Sequence, residues 1–159
     1  MARKIYATTI DKELLDTNIY NNITVDSSKP VQPSLGTTST KAAGIVKLVN
    51  MFLKILYTYK GTNYLNKNEG TYFTSLFNLN VQDIGVAESK VQDAIDEASA
   101  QIMGFQSIQG VPDSEKLRRA YISNFELDDD DTVLMEINIE VVSGVTTAVQ
   151  LPSITLDNV

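Results

Sequence analysis

Carboxylates are the main side chains left for proton transfer in this 159-residue chain, because it contains neither cysteine nor histidine. Without cysteine there is no disulfide, no thiolate nucleophile and no thiolate metal site. Without histidine the usual nucleophile–base triads and the commonest zinc ligand are missing. Paired carboxylates can still do acid–base or glycosidic chemistry, but they need a fixed separation of ~5–10 Å. Glu69 is the candidate, in the stretch YTYKGTNYLNKNEGT from Tyr57 to Thr71. The next acidic residues along the chain, Asp83 and Glu88, have no spacing that recommends either as its partner. Glu69 reads instead as a cap for a following helix or as the partner of a basic group on a neighbour. No catalytic residue and no cofactor is assigned.

The run Asp128–Asp131 could in principle hold a divalent cation. It lacks the spaced pattern and glycine of a calcium loop, and adjacent side chains cannot all face one ion. Between two apolar alternations it predicts a solvated hairpin turn, so no metal site is assigned. Gly61-Thr62 and Gly70-Thr71 are not a phosphate loop, since no Lys-Ser/Thr follows closely spaced glycines. Gly61 supplies a backbone conformation that other residues resist. Lys116, Arg118 and Arg119 form the densest basic cluster. On a regular strand Arg118 and Arg119 point to opposite faces, which predicts pairing with acids of adjacent strands or of a partner rather than one anion cradle.

These residues need elements to hold them, and the chain is long enough for one domain with a core. Its net charge of −7 is uneven: residues 1–60 carry eight Lys/Arg against four Asp/Glu, whereas residues 61–159 carry five against sixteen. An acidic body repels phosphate backbones, which argues against nucleic acid, and the two ends suit different neighbours. No apolar run reaches membrane-spanning length and no leader pattern opens the chain, so the expectation is no membrane and synthesis in the cytoplasm.

Residues 1–39, rich in Ser, Thr, Asn and Pro, read as an extended N-terminal arm ordered by packing on its own body or on a neighbour. Residues 40–152 read as an α+β domain and 153–159 as a C-terminal tail or a further extended piece. The domain begins with a helix in STKAAGIVKLVNMFLKILYTY, capped by Ser39 or Thr40. Leu48, Phe52 and Ile55 widen its apolar stripe, so it should be enclosed on more than one side. Lys41, Lys47 and Lys54 mark its outer line. A second, short helix is expected from about Thr71. A third runs through VAESKVQDAIDEASAQIM, with Val91, Ala94, Ile95, Ala98 and Ile102 inward and its end near Met103-Gly104. Three antiparallel strands follow as a meander: Ala120–Leu127, Thr132–Val142 and Val145–Leu151. Val133, Met135, Ile137, Ile139 and Val141 share one face, opposite Glu136, Asn138 and Glu140. A meander has open edges that can accept a strand from another chain.

This order of elements resembles the lysozyme-like baseplate wedge family of contractile-tailed bacteriophages, which has a relative in type VI secretion baseplates. In ILYTYKGTNYLNKNEGTYFTSL the family pattern is matched at Leu56, Thr58, Gly61, Gly70, Thr71 and Leu76. The link carries Glu69 without the Pro-Arg that follows it in many members. The resemblance implies a non-enzymatic virion protein, the sheath initiator, on which the first sheath ring assembles by strand exchange. Gly61, Thr62, Lys67, Glu69 and Gly70 would then dock on other wedge proteins, while Val133, Met135, Ile137, Ile139, Val141, Val145 and Val149 would carry the sheath contact. Tail tube or hub proteins are further expected neighbours. The alternatives are a tail-completion or head–tail connector protein and a carboxylate-only glycan hydrolase.

Overall fold

The computed structural model describes residues 42–78, 83–128 and 132–155, so the arm at 1–39, Asp129–Asp131 and the last four residues lie outside the description. Within it, two α-helices, a short 3-10 helix and a three-stranded antiparallel sheet form an α+β arrangement. Helix α1 is Ile45–Tyr57, the 3-10 helix is Phe73–Asn78 and α2 is Ile84–Gln109. The strands are β1 (Leu117–Leu127), β2 (Thr132–Val141) and β3 (Thr146–Thr155), paired in the order β1-β2-β3.

Helix α1 is enclosed on more than one side: Ile45, Leu48, Val49, Phe52, Leu53, Ile55 and Leu56 are all buried. Its start differs from expectation. Ser39 and Thr40 lie outside the described residues, and the helix begins at Ile45 after Gly44, whose φ of 61° and ψ of −140° break the helical path. The N-terminal amide of Gly44 donates to the Glu115 carboxylate at 3.4 Å, and Lys47 reaches the same carboxylate at 3.0 Å. Lys54 is exposed as expected, whereas Lys47 leaves the outer line to form this half-buried pair.

The short second helix is a 3-10 turn that starts after Thr71. The Thr71 carbonyl is committed to the amide of Lys60 at 3.0 Å, so it cannot open a helix. Thr71 Oγ1 instead accepts the Phe73 amide, and Ser75 N–H bonds back to Tyr72 in the tighter 3-10 pattern.

Helix α2 presents the expected stripe of Val91, Ala94, Ile95, Ala98 and Ile102 to the core, extended by Ala87 and Gln106. Asp83 caps its N-terminus by accepting the Gly85 amide at 2.7 Å. Gly104 does not end it, as the sequence pattern had suggested. The helix runs on to Gln109, and Gly110 terminates it in the left-handed conformation at φ 59°. No helix among the described residues is long and apolar enough to cross a membrane.

The sheet turns one face to the core, where β1 packs on α2 and β3 meets the 3-10 helix. Val133, Met135, Ile137, Ile139 and Val141 of β2 are at most 1% exposed and join Val149 and Leu151 of β3 in the single core cluster. Strand β1 alternates less cleanly because it carries two bulges. Register slips between Leu117 and Arg119 and again between Ile122 and Asn124. Each slip moves the inward phase by one residue, so the core-facing set is Leu117, then Ala120 and Ile122, then Phe125. Strand β3 continues through Pro152 to Thr155, which is the extended alternative for residues 153–155. A register slip between Val133 and Met135 places Pro152 at an irregularity on an outer strand, where its missing N–H costs least.

Gln106 joins α2 to the sheet. Its amide donates to the Glu115 carbonyl and accepts from the Leu117 amide, both at 2.8 Å and both buried. Gln106→Ala strands two buried backbone groups and should lower unfolding free energy by about 2–4 kcal/mol. Urea denaturation measures this, and a loss below about 0.5 kcal/mol would show that water replaces the amide at little cost.

Candidate functional site

The stretch from Thr58 to Thr71 is a closed loop that leaves the C-terminal end of α1 and rests against the middle of α2. Thr58 leaves the helix with extended backbone, its amide still bonded to Lys54 and Ile55. Thr71 returns beside it: Thr71 N–H donates to Thr58 O at 2.9 Å, and Tyr59 and Thr71 form a parallel bridge. The buried Thr71 hydroxyl donates to Leu56 O at 2.7 Å. Loop ends this close, with polar side chains filling the interior, define an Ω-loop.

Gly70 makes the closure possible. Its φ is 101°, and a Cβ there would stand 2.3 Å from the Thr58 carbonyl oxygen. No side chain fits. Gln101 of α2 then grips the same glycine from the other side, accepting its N–H at 3.0 Å and donating to its carbonyl at 2.8 Å. Lys60 extends the clamp to α2 through an ion pair with Glu97 and lies 5.7 Å from the centre of the Tyr72 ring. The hydrogen bond to Glu97, reinforced by its charge, raises the Lys60 ammonium above its ordinary pKa.

Glu69 is occupied inside the loop. Its carboxylate accepts from the Asn63 side-chain amide at 2.6 Å. The other end of Asn63 accepts the amides of Leu65 and Asn66, a local turn that fixes the loop's outer half. Among the described residues, no group of three or more His, Cys, Asp or Glu could hold a metal ion. Glu69 is a brace of the loop through Asn63, and among the described residues it neither caps the 3-10 helix nor pairs with a basic group.

The expected docking residues thus divide. Glu69 and Gly70 are turned to loop architecture, while Gly61, Thr62 and Lys67 are exposed. Between them stand two residues that sequence reasoning passed over, Tyr64 and Leu65, at 90% and 91% exposure. Their signal was available: an adjacent aromatic and aliphatic pair among Asn, Lys and Gly has no periodic partner to fold against.

The sheet residues expected at a partner contact lie mostly inside the domain. Val133, Met135, Ile137, Ile139 and Val141 are core, and β2 is the central strand, with both backbone edges paired to β1 and β3. Val149 is also fully buried, and of the seven only Val145, in the turn before β3, is exposed. Among the described residues, the unpaired edges are the outer sides of β1 and β3.

The arginine pair also departs from the regular-strand expectation. The bulge after Leu117 sets Arg118 and Arg119 together against Glu140, one on each carboxylate oxygen, at 2.8 and 2.6 Å. They pair with an acid of the adjacent strand, as expected, but from one face. Glu140, expected to face water, is buried by the two guanidinium groups. Arg119 also lies 4.9 Å from the centre of the Tyr121 ring. No protein-family model and no curated protein matches this chain in sequence.

Two outcomes follow from this geometry. Gly70→Ala should cost at least about 2 kcal/mol and lower Tm by several degrees, because strain and a backbone clash add. Gly61→Ala, at φ 91° but with open space around it, should cost less. Equal losses in thermal melts would remove the close approach as the controlling feature. The Arg119 hydrogen bond, with the Arg118 charge, holds the Glu140 carboxyl below the ordinary carboxylate range. Its stabilising contribution is therefore complete above the unfolded pKa and is lost as pH falls through the folded one. The Tm gap between wild type and Glu140→Gln should be widest at neutral pH and should close as pH falls through and below the ordinary carboxylate range. A gap that stays constant with pH would exclude the ion pairs as its source.

Proposed function

We propose that this chain is a non-enzymatic structural component of a contractile phage tail baseplate, a wedge protein that offers strand edges to the first ring of sheath. The observation that carries the reading is the structural work of the residues behind the family resemblance. Leu56 supplies the carbonyl for the Thr71 hydroxyl, Thr58 supplies the carbonyl for the Thr71 amide, and Gly70 is the position with no room for a side chain. Leu76 is buried in the core just beyond, and Gly61 adopts φ 91° at the start of the loop. Four of the six matched positions, Leu56, Thr58, Gly70 and Thr71, thus belong to one loop closure, which is a reason for them to recur as a set.

The sheath contact is assigned to the outer edges of β1 and β3 rather than to the buried residues of β2. An edge strand recognises another chain by backbone hydrogen bonds, which suits assembly by strand exchange. The acidic body and the loop face other wedge proteins, with tail tube or hub proteins as further neighbours. The protein is placed in the virion. The supporting chemistry is a sheet with one solvated polar face, backed by helices and stiffened by the Arg118–Glu140–Arg119 cluster.

Disrupting this chain in its phage should give particles with a tail tube and no assembled sheath, visible by negative-stain electron microscopy and restored by supplying the wild-type chain. Tails with sheath of normal length would overturn the assignment.

A further inference from the structure

Strand β1 ends the sheet on one side, and its side chains are incompletely used there. Ile122 and Phe125 pack on the core but are only partly buried. Leu127, opposite the core residue Val133, is 45% exposed. On the solvent face, Arg118 and Arg119 share the single carboxylate of Glu140, and their side chains remain 61% and 63% exposed. Two cations on one anion leave surplus positive charge near the start of the strand. At the other end Glu126 is exposed, and among the described residues no salt bridge reaches it.

The order of these groups is symmetric once the two bulges are taken into account. Each bulge sets two residues where a regular strand has one. Leu117–Leu127 is therefore matched by only nine residues of β2, Val133–Val141, with Ile122 at the central rung opposite Ile137. From that centre the faces alternate evenly in both directions. Leu117, Ala120, Ile122, Phe125 and Leu127 face inward, while Arg118–Arg119, Tyr121, Ser123–Asn124 and Glu126 face outward.

A second, antiparallel β1 centred on Ile122 matches this order rung for rung. Ile122 meets Ile122, small Ala120 meets large Phe125, and buried Leu117 meets exposed Leu127. Arg118–Arg119 meets Glu126, and Tyr121 meets Ser123–Asn124, so each bulge faces a single residue and never another bulge. Opposed residues share a face in an antiparallel pair, and opposite charges there attract. Just beyond the strand ends, Lys116 comes level with Asp128 of the second copy and continues the charge match. The other outer strand has no such order: β3 carries no charged residue from Thr146 to Thr155, and Pro152 interrupts its amides.

We infer that two copies of this chain associate through β1, antiparallel about Ile122, into a six-stranded sheet ordered β3-β2-β1-β1-β2-β3. A foreign strand has to reproduce both breaks and the charge order, whereas a second copy carries them already. The contact is isologous, so it closes at a dimer. This dimer rests on β1 alone and not on the baseplate reading, in which it leaves the outer edge of β3 to the sheath.

Sedimentation velocity on the purified full chain over about 1–200 µM tests the dimer. The expected result is a reversible monomer–dimer equilibrium with nothing larger. Glu126→Lys, at an exposed position, should keep the wild-type melting temperature and weaken the dimer at least about tenfold, because both symmetry-related contacts become repulsive. Register is read by cross-linking, which the absence of native cysteine makes site-specific. Ile122→Cys should give a disulfide-linked dimer under mild oxidation, whereas Ala148→Cys on β3 should not. A wild-type chain that stays monomeric, a dimer that Glu126→Lys leaves intact, or a dimer that cross-links through Ala148→Cys and not through Ile122→Cys would each overturn the proposal.

Discussion

The close approach of Gly70 to the Thr58 carbonyl organises the first half of the structure. Chain leaving α1 and chain entering the 3-10 helix can lie side by side only because nothing projects from position 70. That contact allows the Thr71 amide and hydroxyl to satisfy two carbonyls at the end of α1, which would otherwise be left over by the helix. It also leaves the buried Gly70 N–H and carbonyl turned toward α2, where Gln101 can bond both. One missing side chain thus couples the C-terminus of α1 to the middle of α2 without a covalent link. The thirteen residues of α1 are marginal as an isolated helix, and this closure together with burial is what gives the helix its place.

The second half depends on a different device, the bulged register of β1. A regular strand would have put Arg118 and Arg119 on opposite faces and kept a single inward phase from Leu117 onward. Two slips break that phase. The first turns both arginines onto Glu140, so that a carboxylate on the central strand is covered by its own counter-ions. The second places Ser123 against Glu136, with a hydrogen bond of 2.8 Å. Bulges also increase local twist and make an edge less regular as a template for unselective pairing. In the proposed strand addition, an incoming strand would have to match the breaks in register along the outer edge of β1.

How much of this could be read from sequence follows from which periodicities are local. The stripes of α1 and α2 and the alternation of β2 involve only the residues that display them, and all three match the folded core. Helix ends were less legible because they are decided by contacts distant in sequence. Gly104 looked like a stop, yet it has open space around it and the helix passes through. Gly44 was not expected as a start, and it becomes one where Glu115, 71 residues away, accepts its amide. The β1 pattern seemed only moderate because two phases overlap in it. Glu69 could be read as a residue that binds a partner, but the Asn63 whose side-chain amide it accepts carries no motif that marks it.

The same distinction bears on where partners can meet this chain. Alternating aliphatic residues on β2 advertise a strand, and a strand advertises an edge, but the more regular the alternation, the deeper the strand sits. The most legible strand is thus the one least able to touch another protein, because both its edges and its apolar face are used inside the domain. The backbone and side chains left unused by the domain fall instead where periodicity fails: the bulged outer edge of β1, the edge of β3 irregular near Pro152, and a loop whose Tyr64 and Leu65 belong to no apolar stripe. Residues that folding leaves unexplained are the ones that recognition can use, provided the backbone beneath them is held. In the loop that condition is met by Asn63, Gln101 and the absent side chain of Gly70.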